Sequence, residues 1–135
     1  LKEYKPNIVV ITGHDAYNKR KGDVDDISAY KSSLYFANAV KKAREYESSH
    51  EKLIIIAGAC GSYYEELIKA GANFASSPKR INIHALDPAI VAAKMSLSNI
   101  NKDIDLKDIL ERTKYGKDGI GGIITKGTMY VGYPR

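Results

Sequence analysis

The apolar positions fall into short runs separated by longer stretches of mixed polarity. Ile8-Val9-Val10-Ile11, ending in Thr12-Gly13, reads as a buried parallel strand, and Leu53-Ile54-Ile55-Ile56-Ala57 reads as a second. The polar stretch 15–26, with Gly22 and several aspartates, predicts a loop. Asp26 is placed to cap a helix over Ile27 to Glu47, with Tyr30, Leu34, Ala37 and Val40 or Lys41 on one side. After the second strand, Gly58-Ala59-Cys60-Gly61 predicts a turn, and Ser62 to Ala70 a short helix stopped by Gly71. Ile81 to Leu86 alternates like a third strand, Pro88 starts a helix running to about Met95, and Leu106 to Arg112 forms another short helix. The glycine-rich tail from Gly116 to Gly132 predicts turns, with Thr128 to Val131 as an edge strand or hairpin.

Strands alternating with helices predict an α/β fold, a three-layer sandwich with a mainly parallel sheet. The 135 residues suit a single domain, and no apolar run approaches the length of a membrane span. The chain begins at Leu1 rather than Met, with Lys2, Glu3 and Lys5 where a signal peptide would be apolar, so a processed piece of a longer protein is expected. The formal charge of +5 comes from basic residues spread along the chain at Lys19-Arg20-Lys21, Lys41-Lys42-Arg44 and Lys79-Arg80. These runs read as solvated faces, and no nucleic-acid partner is expected from them. The lone cysteine rules out an internal disulfide, fits a reducing compartment and leaves no Cys/His pair with metal-ligand spacing. No cofactor is expected, and the Gly119-Ile120-Gly121-Gly122 string lacks the strand-then-helix context of a phosphate loop.

Ligand sites in open α/β sheets lie at the carboxyl ends of the strands. The first strand runs into His14 and the second into Cys60, so neighbouring strands would bring an imidazole and a thiol to one edge. A thiolate attacks carbonyls, and a histidine maintains it and protonates the leaving amine. A helix starting just after Cys60 would favour the thiolate, and main-chain N–H groups of Asp15 and Cys60 are the expected oxyanion donors. Cys60 lies 46 residues after His14. That order and spacing resemble the caspase-like arrangement, in which a strand ending in His precedes a strand ending in Ala-Cys. Here Gly13 precedes the histidine and Asp15 follows it, whereas the general pattern has His followed by Gly. His84 is the second candidate for the base, and His50 reads as exposed. A catalytically silent α/β module that binds a partner is the reading from another class.

Longer strings sharpen the picture. Ile11-Thr12-Gly13-His14-Asp15-Ala16-Tyr17, Ala57-Gly58-Ala59-Cys60, Ala70 to Pro78, Arg80 to Pro88 and Gly121-Gly122-Ile123 resemble the YabG sporulation-specific cysteine peptidases over nearly the whole chain. The resemblance implies a caspase-like fold, a His14/Cys60 pair, cleavage after basic residues with Arg preferred, and self-cleavage. It implies spore coat and germination-related precursors as substrates, in the cytoplasm of the sporulating cell and on the spore. Family members carry sequence before the point where this chain starts, so the resemblance also implies a truncated or self-cleaved form. Such a form is expected to dimerise or to stay bound to its cleaved N-terminal part. A basic specificity asks for a carboxylate that can grip a guanidinium. Asp87, at the end of the expected third strand, is the first candidate, with Ser76 and Ser77 as pocket walls and Asp25 and Asp26 as runners-up.

Overall fold

A computed structural model describes residues 1–130, and Val131, the end of the expected edge strand, lies outside them. Four strands form one sheet in the order β1 (Ile8–His14), β2 (Ile54–Cys60), β3 (Phe74–Ser76) and β4 (Ile120–Gly122). β1, β2 and β3 run parallel, whereas β4 is antiparallel to β3, so the sheet is mixed, with three of its four strands parallel. Helix α1 (Ser33–Tyr46) and α2 (Tyr64–Ala70) supply Ala37, Val40, Ala43 and Leu67 to one face of β2, around Ile55 and Ala57. Helix α3 (Asp87–Ser96) and α4 (Leu106–Leu110) supply Val91, Met95, Ile109 and Leu110 to the other face, around Ile54, Ile56 and Phe74. The continuous apolar run of β2 is thus explained by cover on both sides. Gly71 ends α2 in the left-handed conformation, at φ 118°, as expected of a glycine C-cap.

Three expected elements differ. The helix expected over Ile27 to Glu47 is broken: Ile27–Ala29 makes one 3-10 turn capped by Asp26, and Tyr30 is extended. Tyr30 is drawn into an antiparallel bridge with Tyr17, and its ring stacks on Tyr63 at 5.2 Å, which prevents the helix from running through. Ile81 to Leu86 is not a strand. Ile81 O accepts from Gly61 N–H in the turn after β2 and Ile83 O from the Cys60 thiol at the end of β2, and the third strand is instead the three-residue Phe74–Ser76. The tail glycines contribute β4 because Gly121 and Gly122 allow close approach; added Cβ atoms would stand 2.7 Å from the Tyr64 hydroxyl and 2.6 Å from the Asn73 carbonyl. β1 is also less buried than its run suggested. It lies at the end of the described sheet, and Val10 is 40% exposed.

Candidate active site

The parallel register of β1 and β2 pairs His14 with Cys60 at the last rung. The ladder opens with Ile54 N–H donating to Asn7 O and closes with Asp15 N–H donating to Cys60 O at 3.1 Å. Register partners in a parallel pair project to the same side of the sheet, so both side chains belong to the α3 face. Cys60 accordingly packs with the Ile54–Ile56–Phe74 cluster. Its free thiol is partly exposed, and S–H donates to Ile83 O at 3.4 Å. His14 is exposed. A cavity of about 290 Å³ opens beside Cys60, lined by Thr12, Gly13, Gly58, Ile83, Ala85 and Pro88.

The surroundings correct several expectations. Cys60 is the last residue of β2 rather than part of a turn, and the helix does not start just after it. Gly61, Ser62 and Tyr63 intervene before α2, which packs on the opposite face from Cys60. The bend falls on Gly61, at φ +62°, whose N–H donates to Ile81 O. Gly58 serves a different purpose: a Cβ there would collide with Pro88 of α3. The Asp15 N–H, expected as an oxyanion donor, is a ladder donor to Cys60 O.

The Asp15 side chain has a role that the sequence did not announce. It is 2% exposed; Oδ1 accepts from Ala16 N–H at 2.8 Å and Ser32 N–H at 2.7 Å, and Oδ2 accepts from the Ser33 hydroxyl. Ser33 Oγ in turn accepts from Tyr63 N–H at 2.9 Å. One carboxylate therefore ties the chain after His14, the start of α1 and the turn after Cys60. Its negative charge also sits at a helix N-terminus, where the dipole favours it.

The residues expected to set specificity are engaged in hydrogen bonds within the fold. Asp87 is 2% exposed, and its two oxygens accept from His84 N–H at 3.1 Å and Lys114 N–H at 3.2 Å. It closes the turn before α3 and does not line the cavity. Ser76 and Ser77 are fully buried, donating to Ala59 O at 2.6 Å and Ile81 O at 2.7 Å. Asp26 caps the 3-10 turn through Ser28, and the hydrogen bonds with that residue hold its carboxyl below the usual range. Asp25 is exposed and accepts the Tyr63 hydroxyl at its carbonyl. His84 is exposed, and its Nδ1 accepts from Leu86 N–H at 3.1 Å within its own turn. His50 is half-buried rather than exposed.

Arg80 belongs to a run expected on a solvated face, yet its side chain is only 16% exposed. The one available signal was that tyrosines follow both His14 and Cys60 by three residues, at Tyr17 and Tyr63, which join Tyr30 in the stack beside Arg80. Among the described residues, no group of three His, Cys, Asp or Glu side chains is placed to hold a metal ion. No described helix is long and apolar enough to cross a membrane.

The family model described as YabG peptidase U57 matches residues 1–134. The chain is 48% identical over 134 residues to the sporulation-specific protease YabG of Bacillus subtilis (strain 168), covering 99% of this chain and 46% of that protein. The chain thus spans about half the length of that curated relative. No solved structure matches it.

Proposed function

The chain belongs to the YabG peptidase U57 family, and from that premise we propose that it is a cysteine endopeptidase with Cys60 as nucleophile and His14 as its proton partner. The register pairing of His14 with Cys60 carries this reading. Register partners stand one strand spacing apart, about 4.8 Å between backbones, at the edge where the strands end, which supports a pairing of imidazole and thiol.

The chemistry follows from the residue types. His14 takes the Cys60 proton, and the thiolate attacks the scissile carbonyl to form a C–S bond. The tetrahedral oxyanion is met by the main chain of the Cys60–Gly61 turn. Collapse breaks the C–N bond, and the His14 imidazolium protonates the leaving amine. Water, deprotonated by His14, then cleaves the thioester and returns the Cys60 thiol.

The partly exposed thiol and the adjoining cavity give a peptide access to the sulfur. Cleavage after Arg or Lys, in spore coat and germination-related precursors and in the protein itself, follows from the family resemblance. The cavity beside Cys60 has no carboxylate among its lining residues, so a guanidinium would be met elsewhere. The test is mass spectrometry of peptide products from wild-type and Cys60→Ala protein. Products ending in Arg or Lys that disappear with Cys60→Ala support the reading. Undiminished cleavage by Cys60→Ala, or cleavage only after other residues, rejects the nucleophile or the specificity, respectively.

A further inference from the structure

The segment from Arg80 to Ile83 lies along the turn that carries the nucleophile. Ile81 O accepts Gly61 N–H at 3.1 Å and also the Ser77 hydroxyl at 2.7 Å, and Ile83 O accepts the Cys60 thiol at 3.4 Å. Ile83 is also a wall of the cavity beside Cys60. Whatever fixes this segment therefore fixes the thiol's partner, the Gly61 amide and part of the substrate cavity.

Arg80 is the group that fixes it. Nε donates to the Tyr30 hydroxyl at 2.7 Å, Nη1 to Ser77 O at 3.2 Å, and Nη2 to Glu65 Oε2 at 2.7 Å. The guanidinium carbon lies 4.9 Å from the Tyr63 ring centroid and 5.7 Å from that of Tyr30, within cation–π range. Burial alone would lower its pKa, but the bonds to Tyr30 and Glu65 outweigh burial and raise it. Arg80 itself takes a left-handed backbone, at φ +55°, which is uncommon outside glycine. Such a conformation persists only where the surroundings over-determine it. A planar fork that bonds in three directions while stacked on a ring is a task for arginine rather than lysine.

We propose that Arg80 is a positioning residue for the Cys60 nucleophile: its guanidinium, caged by Tyr30, Tyr63 and Glu65, locks the segment whose carbonyls orient the Gly61 amide and the Cys60 thiol. This rests on the Cys60/His14 reading. The Arg80 guanidinium bonds to Tyr30, Ser77 and Glu65 rather than to Cys60 or His14. Its effect passes through the main chain of Ile81 and Ile83.

The test combines turnover with thiol reactivity in the whole chain. Arg80→Ala is expected to lower kcat on an Arg-containing peptide on the order of tenfold with little change in KM, as a small misplacement of a reacting group does. It should also slow alkylation of Cys60 by iodoacetamide at fixed pH, because a misplaced thiol loses its alignment with His14. Millimolar guanidinium chloride should restore much of the activity by refilling the cage, while Arg80→Lys should stay impaired. A folded Arg80→Ala protein with unchanged kcat and alkylation overturns the proposal. So does a loss of activity that guanidinium does not restore. Should Arg80→Ala fail to fold, Tyr30→Phe, which removes one acceptor and keeps the ring, decides: a lowered kcat supports the proposal and an unchanged one rejects it. Wild-type Cys60 that alkylates like a free thiol would instead reject the dyad itself, so the two failures are distinct.

Discussion

A Cβ placed on Gly58 would stand 2.1 Å from Cγ of Pro88. The strand that ends in Cys60 and the helix that walls its cavity thus meet at a point where only hydrogen fits. Gly58→Ala should overpack this contact and cost about 1–3 kcal/mol. Thermal denaturation should show a lowered midpoint, and peptide cleavage should fall with it because Pro88 lines the cavity. An unchanged midpoint would show that α3 can move aside freely.

His14 and His84 compete for the role of base, and their surroundings separate them. His14 shares a rung with Cys60, whereas His84 Nδ1 is spent on Leu86 N–H in its own turn. His14→Ala should reduce kcat/KM by roughly a hundredfold or more, the scale of general acid–base catalysis. His84→Ala should stay within a few-fold of wild type in the same peptide assay. The reverse ranking would transfer the role to His84.

Asp15 holds three donors with one buried carboxylate. Asp15→Ala leaves Ser32 N–H and the Ser33 hydroxyl without their acceptor and should cost about 1–3 kcal/mol in urea denaturation. It should also slow cleavage, because Ser33 carries the link to the turn after Cys60. Ser33→Ala, which removes that link and one of the three donors to Asp15, should lower kcat with a smaller stability loss. Equal loss of stability with untouched kcat in both variants would reduce the network to scaffolding.

Asp87 gives a prediction of the opposite kind. Its oxygens serve the His84 and Lys114 amides, so Asp87→Ala should lower stability by about 1–3 kcal/mol. The preference among peptide residues should be retained. A switch away from basic residues, with stability intact, would return Asp87 to the specificity pocket.

His50 adds a pH effect to stability. Burial pushes its pKa below the ordinary 6.5, and the Arg44 guanidinium pushes the same way. The folded state therefore holds the proton more weakly than the unfolded chain. The contribution is intact above about 6.5 and is lost as pH falls toward and through the depressed folded value. Urea midpoints measured at roughly pH 8 and roughly pH 5 should differ more for wild type than for His50→Gln. Identical differences would remove His50 as a source.

Much of this arrangement was legible in the residues. Two β-branched runs, each ending at a strand edge in a reactive side chain, gave β1, β2 and the meeting of His14 with Cys60, because a long-enough apolar run carries its own period and cover. Phe74–Ser76 carries no sequence signal because three residues show no alternation, while Ile81 to Leu86 shows alternation with no strand to pair with. Arg44 and Arg80 depart from the solvated faces expected of them for a shared reason. Composition counts a charge but not where its stem leads, and both guanidiniums turn inward to main-chain carbonyls: Arg44 to Gly71 O, Glu47 O and Leu53 O, Arg80 to Ser77 O. Asp87 looked like a pocket acid because its donors, His84 and Lys114, come partly from 27 residues away.

The seven paired positions between β1 and β2 have one more consequence. The exposed basic tripeptide Lys19-Arg20-Lys21 lies in the connection between those strands, outside the ladder that holds them. A backbone cut there would divide the chain without dividing the pair, since the two fragments would stay clasped through the sheet and the α1 face. Such a nicked species would run as two bands under denaturing conditions and as one particle otherwise, with imidazole and sulfur donated by separate polypeptides.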